Sequence, residues 1–129
     1  MYPTKEQIIN NLPKIKIEVL KTIEDWKHQD WSINKDFKAI HRLLTKLSKI
    51  YEKPCSITNE TDHSHYNPET QTIALKDNSI ISALHEFSHH IFGRSETQAC
   101  RWSISIFSKC FPIAYSKLKW NGHMLIKDN

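Results

Sequence analysis

Glycine is nearly absent from this chain: of 129 residues, only Gly93 and Gly122 are glycine. That excludes Gly-rich phosphate cradles, dinucleotide-binding turns and other loops built on close backbone approach. Cysteine is scarce as well. Cys55, Cys100 and Cys110 are odd in number and far apart, so they form neither a C-x-x-C metal knuckle nor a disulfide framework, and they read as buried free thiols. No apolar run approaches the ~20 residues of a membrane span. The opening Met1-Tyr2-Pro3-Thr4-Lys5-Glu6 has no apolar signal core, and the expectation is a cytoplasmic protein.

Strong charge of either sign is missing too. Lys and Arg number 18 against 14 Asp and Glu, a formal net charge of +4 scattered over helical polar faces. This describes a solvated surface and makes nucleic acid an unlikely partner. The length suits one domain with one core. With so little glycine, helices should dominate, and the expected fold is α+β: a mostly helical single domain with a small β-hairpin or sheet.

The chain supports that reading in order. Thr4 and Gln7 fit a capping box for a first helical segment at residues 5–12. Pro13 fits the first turn of a helix running to about His28, with Ile15, Val19, Ile23 and Trp26 as its apolar stripe. Residues 29–34 break the pattern. A second amphipathic helix from about Lys35 to Tyr51 carries Phe37, Ile40, Leu43, Leu44, Leu47 and Ile50, and His41 beside the stripe reads as a surface histidine. After Pro54, Cys55 to Thr58 reads as a short strand, Asn59 to Asn67 as a polar loop, Asn67 to Thr70 as a turn and Gln71 to Leu75 as a strand.

The chemistry concentrates in His85-Glu86-x-x-His89, on a helix expected from about Ser79 to Phe92 and capped by Asp77 or Asn78. Residues four apart share a helix face, so both imidazoles can reach one ion. A catalytic zinc takes three protein ligands, keeps a position for water and lowers that water's pKa to ~7. Glu86, next to the first ligand, is placed to take the proton. Ile80, Ile81, Leu84, Phe87 and Ile91 mark the helix as half-buried, where an unpartnered imidazole is costly.

A third ligand is needed. Gly93 can end the helix, and Ser95 with Gln98 forms a capping box for the next, Glu96 to about Cys110, with Ala99, Trp102, Ile106 and Cys110 as its stripe. Glu96 on the first turn can project back to the histidines; its other role would be a favourable charge at a helix N-terminus. His63 and His65, alternate residues of an extended segment, are rival candidates. Tyr66 is a candidate to face the cleft.

With Glu96 placed, the sequence resembles the gluzincins, zinc metallopeptidases with two His and a downstream Glu as ligands. The resemblance covers about residues 70–105: the strand Thr72 to Leu75, the segment Leu84-His85-Glu86-Phe87-Ser88-His89-His90, and Glu96-Thr97-Gln98-Ala99-Cys100-Arg101-Trp102. The last is similar to the Glu-x-x-Ala-Asp helix of the membrane CAAX-prenyl-type endopeptidases. Size and the missing spans resemble most the minigluzincins, soluble single-domain versions of them. Two departures stand out. Cys100 occupies the Asp position, which removes a hydrogen bond to a ligating His or moves its source. The short gap from His89 to Glu96 approaches the metzincin layout, with Gly93 one residue late and Ser95 at the third-His position.

The resemblance implies Zn2+ held by His85, His89 and Glu96, with Glu86 as general base of a zinc metalloendopeptidase. It implies a zincin-like domain over residues 1–129, with the active-site helix followed by a glutamate helix. An extended peptide or protein substrate would pair with Thr72 to Leu75 at the cleft rim. Residues 121–129 would be a regulatory or inhibitory tail holding a latent, zymogen-like form. The alternative is a catalytically silent zinc-binding module of the same fold that serves in regulation or interaction.

Overall fold

The apolar stripes of the sequence become one core. The structure, a computed structural model, describes residues 12–120 and 125–127. Helix α1 (Ile17–Trp26) runs into a π-helical turn (Lys27–Trp31) and is followed by α2 (Phe37–Ile50). Three short strands come next, β1 (Ser56–Thr58), β2 (His65–Asn67) and β3 (Thr72–Ala74). Then α3 (Ile80–Phe92) and α4 (Glu96–Cys110) lead to the short α5 (Pro112–Ser116) and the antiparallel pair β4 (Leu118–Trp120) and β5 (Leu125–Lys127). The fold is the expected α+β, mostly helical with a small sheet.

Val19, Ile23 and Trp26 of α1 meet Ile40, Leu43, Leu44 and Leu47 of α2, all fully buried. Each such side chain stabilises by about 1.5–3 kcal/mol through the apolar area it removes from water. The Trp26 indole Nε1 donates to the Ala39 carbonyl at 2.8 Å, which locks the two helices. Leu84 and Phe87 of α3 and Trp102 and Ile106 of α4 complete the core, and α3 packs most extensively along α4. Among the described residues no helix is long and apolar enough to cross a membrane.

Several boundaries differ from expectation. Helix α1 starts at Ile17, so Pro13 lies ahead of it rather than in its first turn. The Pro13 carbonyl is instead held by the buried Ser105 hydroxyl of α4, which donates to it at 2.7 Å. Residues 27–31 continue the helix as a π turn, three residues into the break expected from residue 29, and Trp31 stacks on Trp26 with centroids 5.3 Å apart. Helix α2 starts after Asp36, whose carboxylate accepts from the Ala39 amide at 2.9 Å. The Thr4–Gln7 capping box and residues 5–11 of the first helical segment lie outside the described residues, as do 121–124 and 128–129 of the expected tail. Within that tail, Leu125–Lys127 is the strand paired with Leu118–Trp120.

The sheet order is β1-β3-β2, with β1 parallel and β2 antiparallel to β3. Two corrections follow. His65–Asn67 is a strand inside the stretch read as a polar loop, in register with Thr72–Ala74. Thr72–Ala74 is the central strand, paired on both sides, so it cannot be the rim that accepts a peptide. The open edges among the described strands of this sheet belong to β1 and β2.

Candidate metal centre

Helix α3 begins with Ser79 as its cap. The Ser79 hydroxyl accepts from the Ser82 amide at 3.2 Å, and Asp77, one of the two expected caps, accepts from the Ser79 amide at 3.1 Å. The helix places His85 and His89 one turn apart, with ring centroids at 4.9 Å and planes at 76°. It ends at Gly93, whose backbone angles (φ 101°, ψ −153°) lie in a region essentially reserved for glycine. Ser95 then caps α4, its hydroxyl accepting from the Gln98 amide at 3.1 Å. That short reversal returns Glu96 to the histidines.

Glu96 Oε1 lies 2.7 Å from His89 Nε2, and Oε2 lies 3.2 Å from His85 Nε2. The ligand atoms of the three residues all fall within 4.8 Å of one another, a group that could hold a metal ion. A tetrahedral zinc with bonds of about 2.0–2.2 Å separates its ligand atoms by about 3.3 Å, so the cluster is close to the size required.

The outward ring nitrogens strengthen the case. His89 Nδ1–H donates to the Gly93 carbonyl at 2.7 Å, which turns the Nε2 side of the ring to Glu96. His85 Nδ1 lies 3.7 Å from Cys100 Sγ. Burial, followed by the nearby Glu96 and Glu86 carboxylates, pushes the Cys100 thiol up to about 11, so it stays uncharged at neutral pH and offers sulfur as a weak acceptor. The Asp missing from the sequence pattern is therefore replaced in place by a weaker partner. Burial also lowers the His85 pKa against the opposing pull of Glu96, which favours the neutral imidazole a metal needs. In the metal-free protein a proton on Nε2 makes each contact a hydrogen bond to Glu96, and a bound cation would take that proton's place. The donor set of two imidazoles and a carboxylate fits zinc.

Glu86 follows the first ligand and has no hydrogen-bond partner among the described residues. Burial pushes its carboxyl up to about 7, with the Glu96 charge adding to the rise and His89, His65 and His63 opposing it. A group poised there can both take and return a proton near neutral pH.

The remaining candidates go elsewhere. His63 and His65 are not in the ligand group. Their rings stack at 4.7 Å, His63 Nδ1 contacts Asp62 at 2.8 Å, and His65 Nδ1 contacts the His63 carbonyl at 3.0 Å. His41 is exposed, as expected. The Tyr66 hydroxyl donates to His90 Nδ1 at 2.8 Å, while His90 Nε2–H donates to the Lys53 carbonyl at 2.8 Å. His90, 2% exposed, thus ties β2 and the chain after α2 to α3. Sequence reasoning missed this role, although consecutive helical residues point about 100° apart and His90 cannot share the ion with His89. Of the three free cysteines only Cys110 is fully buried, and Cys55 and Cys100 are half-buried. In comparison with known proteins, no family model, curated protein or solved structure matches this chain.

Proposed function

We propose that this chain is a zinc metallopeptidase of the gluzincin type, most like the minigluzincins. The observation that carries the reading is the convergence of His85, His89 and Glu96 beside a half-buried Glu86 whose carboxyl sits near 7. His85 Nε2, His89 Nε2 and the Glu96 carboxylate would hold the ion. Zinc, when bound there, acidifies a water and polarises a peptide carbonyl. Glu86 accepts the proton of the attacking water and returns it to the leaving amine. Gly93 and Cys100 keep the two imidazoles turned toward the ion.

The substrate in this reading is a peptide in extended form. β2 is an open edge of the sheet, and α3, which carries Glu86, packs against it. A peptide pairing with β2 would gain main-chain hydrogen bonds beside the general base. Free thiols spread along the chain suit the reducing cytoplasm.

The test is elemental analysis of the purified protein beside Glu96→Ala and Glu86→Gln, with peptide cleavage measured on the same samples. Wild type and Glu86→Gln should each hold about one zinc, Glu96→Ala should lose it, and only wild type should cleave. Zinc retained by Glu96→Ala overturns the ligand set, and cleavage by Glu86→Gln overturns the mechanism. Zinc in wild type without cleavage of any peptide, with and without residues 121–129, favours the silent regulatory module.

A further inference from the structure

A concavity of about 550 Å3 lies across α4 from the metal ligands. Its volume falls within the range of small-molecule sites, about 300–1,000 Å3. It forms where the chain ahead of α1 crosses the start of α4, beside Tyr51 after α2 and Phe92 at the end of α3. Helical phase separates the two sites. Glu96 and Cys100 stand one turn apart on the metal side, while Thr97, Gln98, Arg101 and Trp102 turn to this one.

Three rings supply the apolar part of the lining. Tyr51, Phe92 and Trp102 meet pairwise with centroids 5.8 to 6.5 Å apart. Phe92 keeps 38% of its surface exposed, so a ring at the end of a packed helix still presents an open face. The polar part joins neutral Ser95, Thr97 and Gln98 to the ammonium groups of Lys14 and Lys16, which line the cavity from the segment before α1, and no described lining residue is acidic. Lys16 Nζ lies 4.6 Å from the Tyr51 ring centroid, so charge and ring stand side by side. The lysine-bearing segment is anchored, because Ser105 holds the Pro13 carbonyl at 2.7 Å and itself accepts from Lys109 Nζ at 3.1 Å.

Rings and ammonium groups side by side select one ligand chemistry, a planar apolar body carrying an anionic head. A bare anion forgoes the ring contacts, and a neutral ring forgoes the charge pairing with Lys14 and Lys16. We propose that this cavity binds a small aromatic anion, an aryl phosphate or an aryl carboxylate, at a site separate from the metal centre.

The experiment is an NMR titration of the full-length protein with 1-naphthyl phosphate, 1-naphthoate, inorganic phosphate and 1-naphthol. At least one aryl anion should bind one to one, roughly tenfold or more tighter than phosphate or 1-naphthol. Its shift changes should centre on the Thr97 and Gln98 amides and the Trp102 indole, and the tighter anion names the head group. Lys14 and Lys16 are exposed, so the double variant Lys14→Glu/Lys16→Glu should fold and lose roughly tenfold in affinity. Binding of the aryl anions no tighter than that of their halves overturns the proposal. So does unchanged affinity in the charge-reversed variant, or saturation centred elsewhere.

Discussion

Replacing Gly93 by alanine tests how the site is built. Gly93 holds φ 101° and ψ −153°, and its carbonyl accepts the His89 Nδ1–H at 2.7 Å. A methyl group there would meet no atom within 4 Å, so the whole cost of the change is backbone strain. An L-residue in this region costs about 1–3 kcal/mol. The variant has two ways to meet that cost. If the reversal holds its shape, the metal-free protein loses about 1–3 kcal/mol of stability and its zinc affinity is unchanged. If the backbone relaxes, stability recovers, but the carbonyl leaves His89 and Glu96 shifts. Zinc affinity then falls about 10–100-fold, the usual effect of losing an outer partner of a ligating histidine. That range is about 1.4–2.7 kcal/mol, so the two measured losses should sum to nearly the same figure by either route. Urea unfolding of metal-free protein reads the first loss, and competition with a chromophoric chelator reads the second. A variant with wild-type values in both assays refutes the argument, because the strain would then have no place in the molecule.

Two further outcomes follow from single contacts. In metal-free protein burial holds the folded Glu86 carboxyl at about 7, above its ordinary value of 4.5. Between those values the folded state keeps a proton the unfolded chain has released, so this group makes stability fall as pH rises through the window and adds no slope above it. The fall is up to about 3 kcal/mol for a shift of this size, and Glu86→Gln should flatten it in urea melts from pH 4.5 to about 8; an unchanged slope refutes the assignment. Tyr66→Phe strands the buried His90 Nδ1 acceptor and should cost about 1–3 kcal/mol without altering zinc affinity; a weakened zinc site would mean that His90 communicates with the metal.

What was legible in the sequence followed from local rules. The helical stripes, the Ser95–Gln98 capping box and the turn at Asn67 depend on neighbours a few residues apart, and the structure keeps them. The His85–His89 pair is equally local, because helix pitch alone aligns it. Long-range pairing was not legible. Thr72 to Leu75 reads correctly as a strand, but its central place depends on a strand before it and another that hides in the polar segment around His65. Pro13 carries a helix-start signal that loses to a hydrogen bond from Ser105, 92 residues away. Tyr66 has no local feature that sends it to His90, and the Cys100 thiol in the Asp position reads as a gap until the fold brings it to His85.

The candidate metal centre and the core are one construction. Glu96 reaches the histidines only because α3 and α4 pack along their lengths, with Leu84 and Phe87 buried on one helix and Ala99 and Trp102 on the other. The same packing half-buries the His85 imidazole and the Glu86 carboxyl and keeps the Cys100 thiol uncharged. Glu86, half-buried and without a hydrogen-bond partner among the described residues, costs the metal-free fold stability. A cation held by His85, His89 and Glu96 would add its binding free energy to the stability of the folded state alone. The hydrophobic seam between α3 and α4 therefore offsets the cost of holding the site open in advance. Weakening that seam at Phe87 or Trp102 should reduce metal affinity even though neither ring contacts the ion.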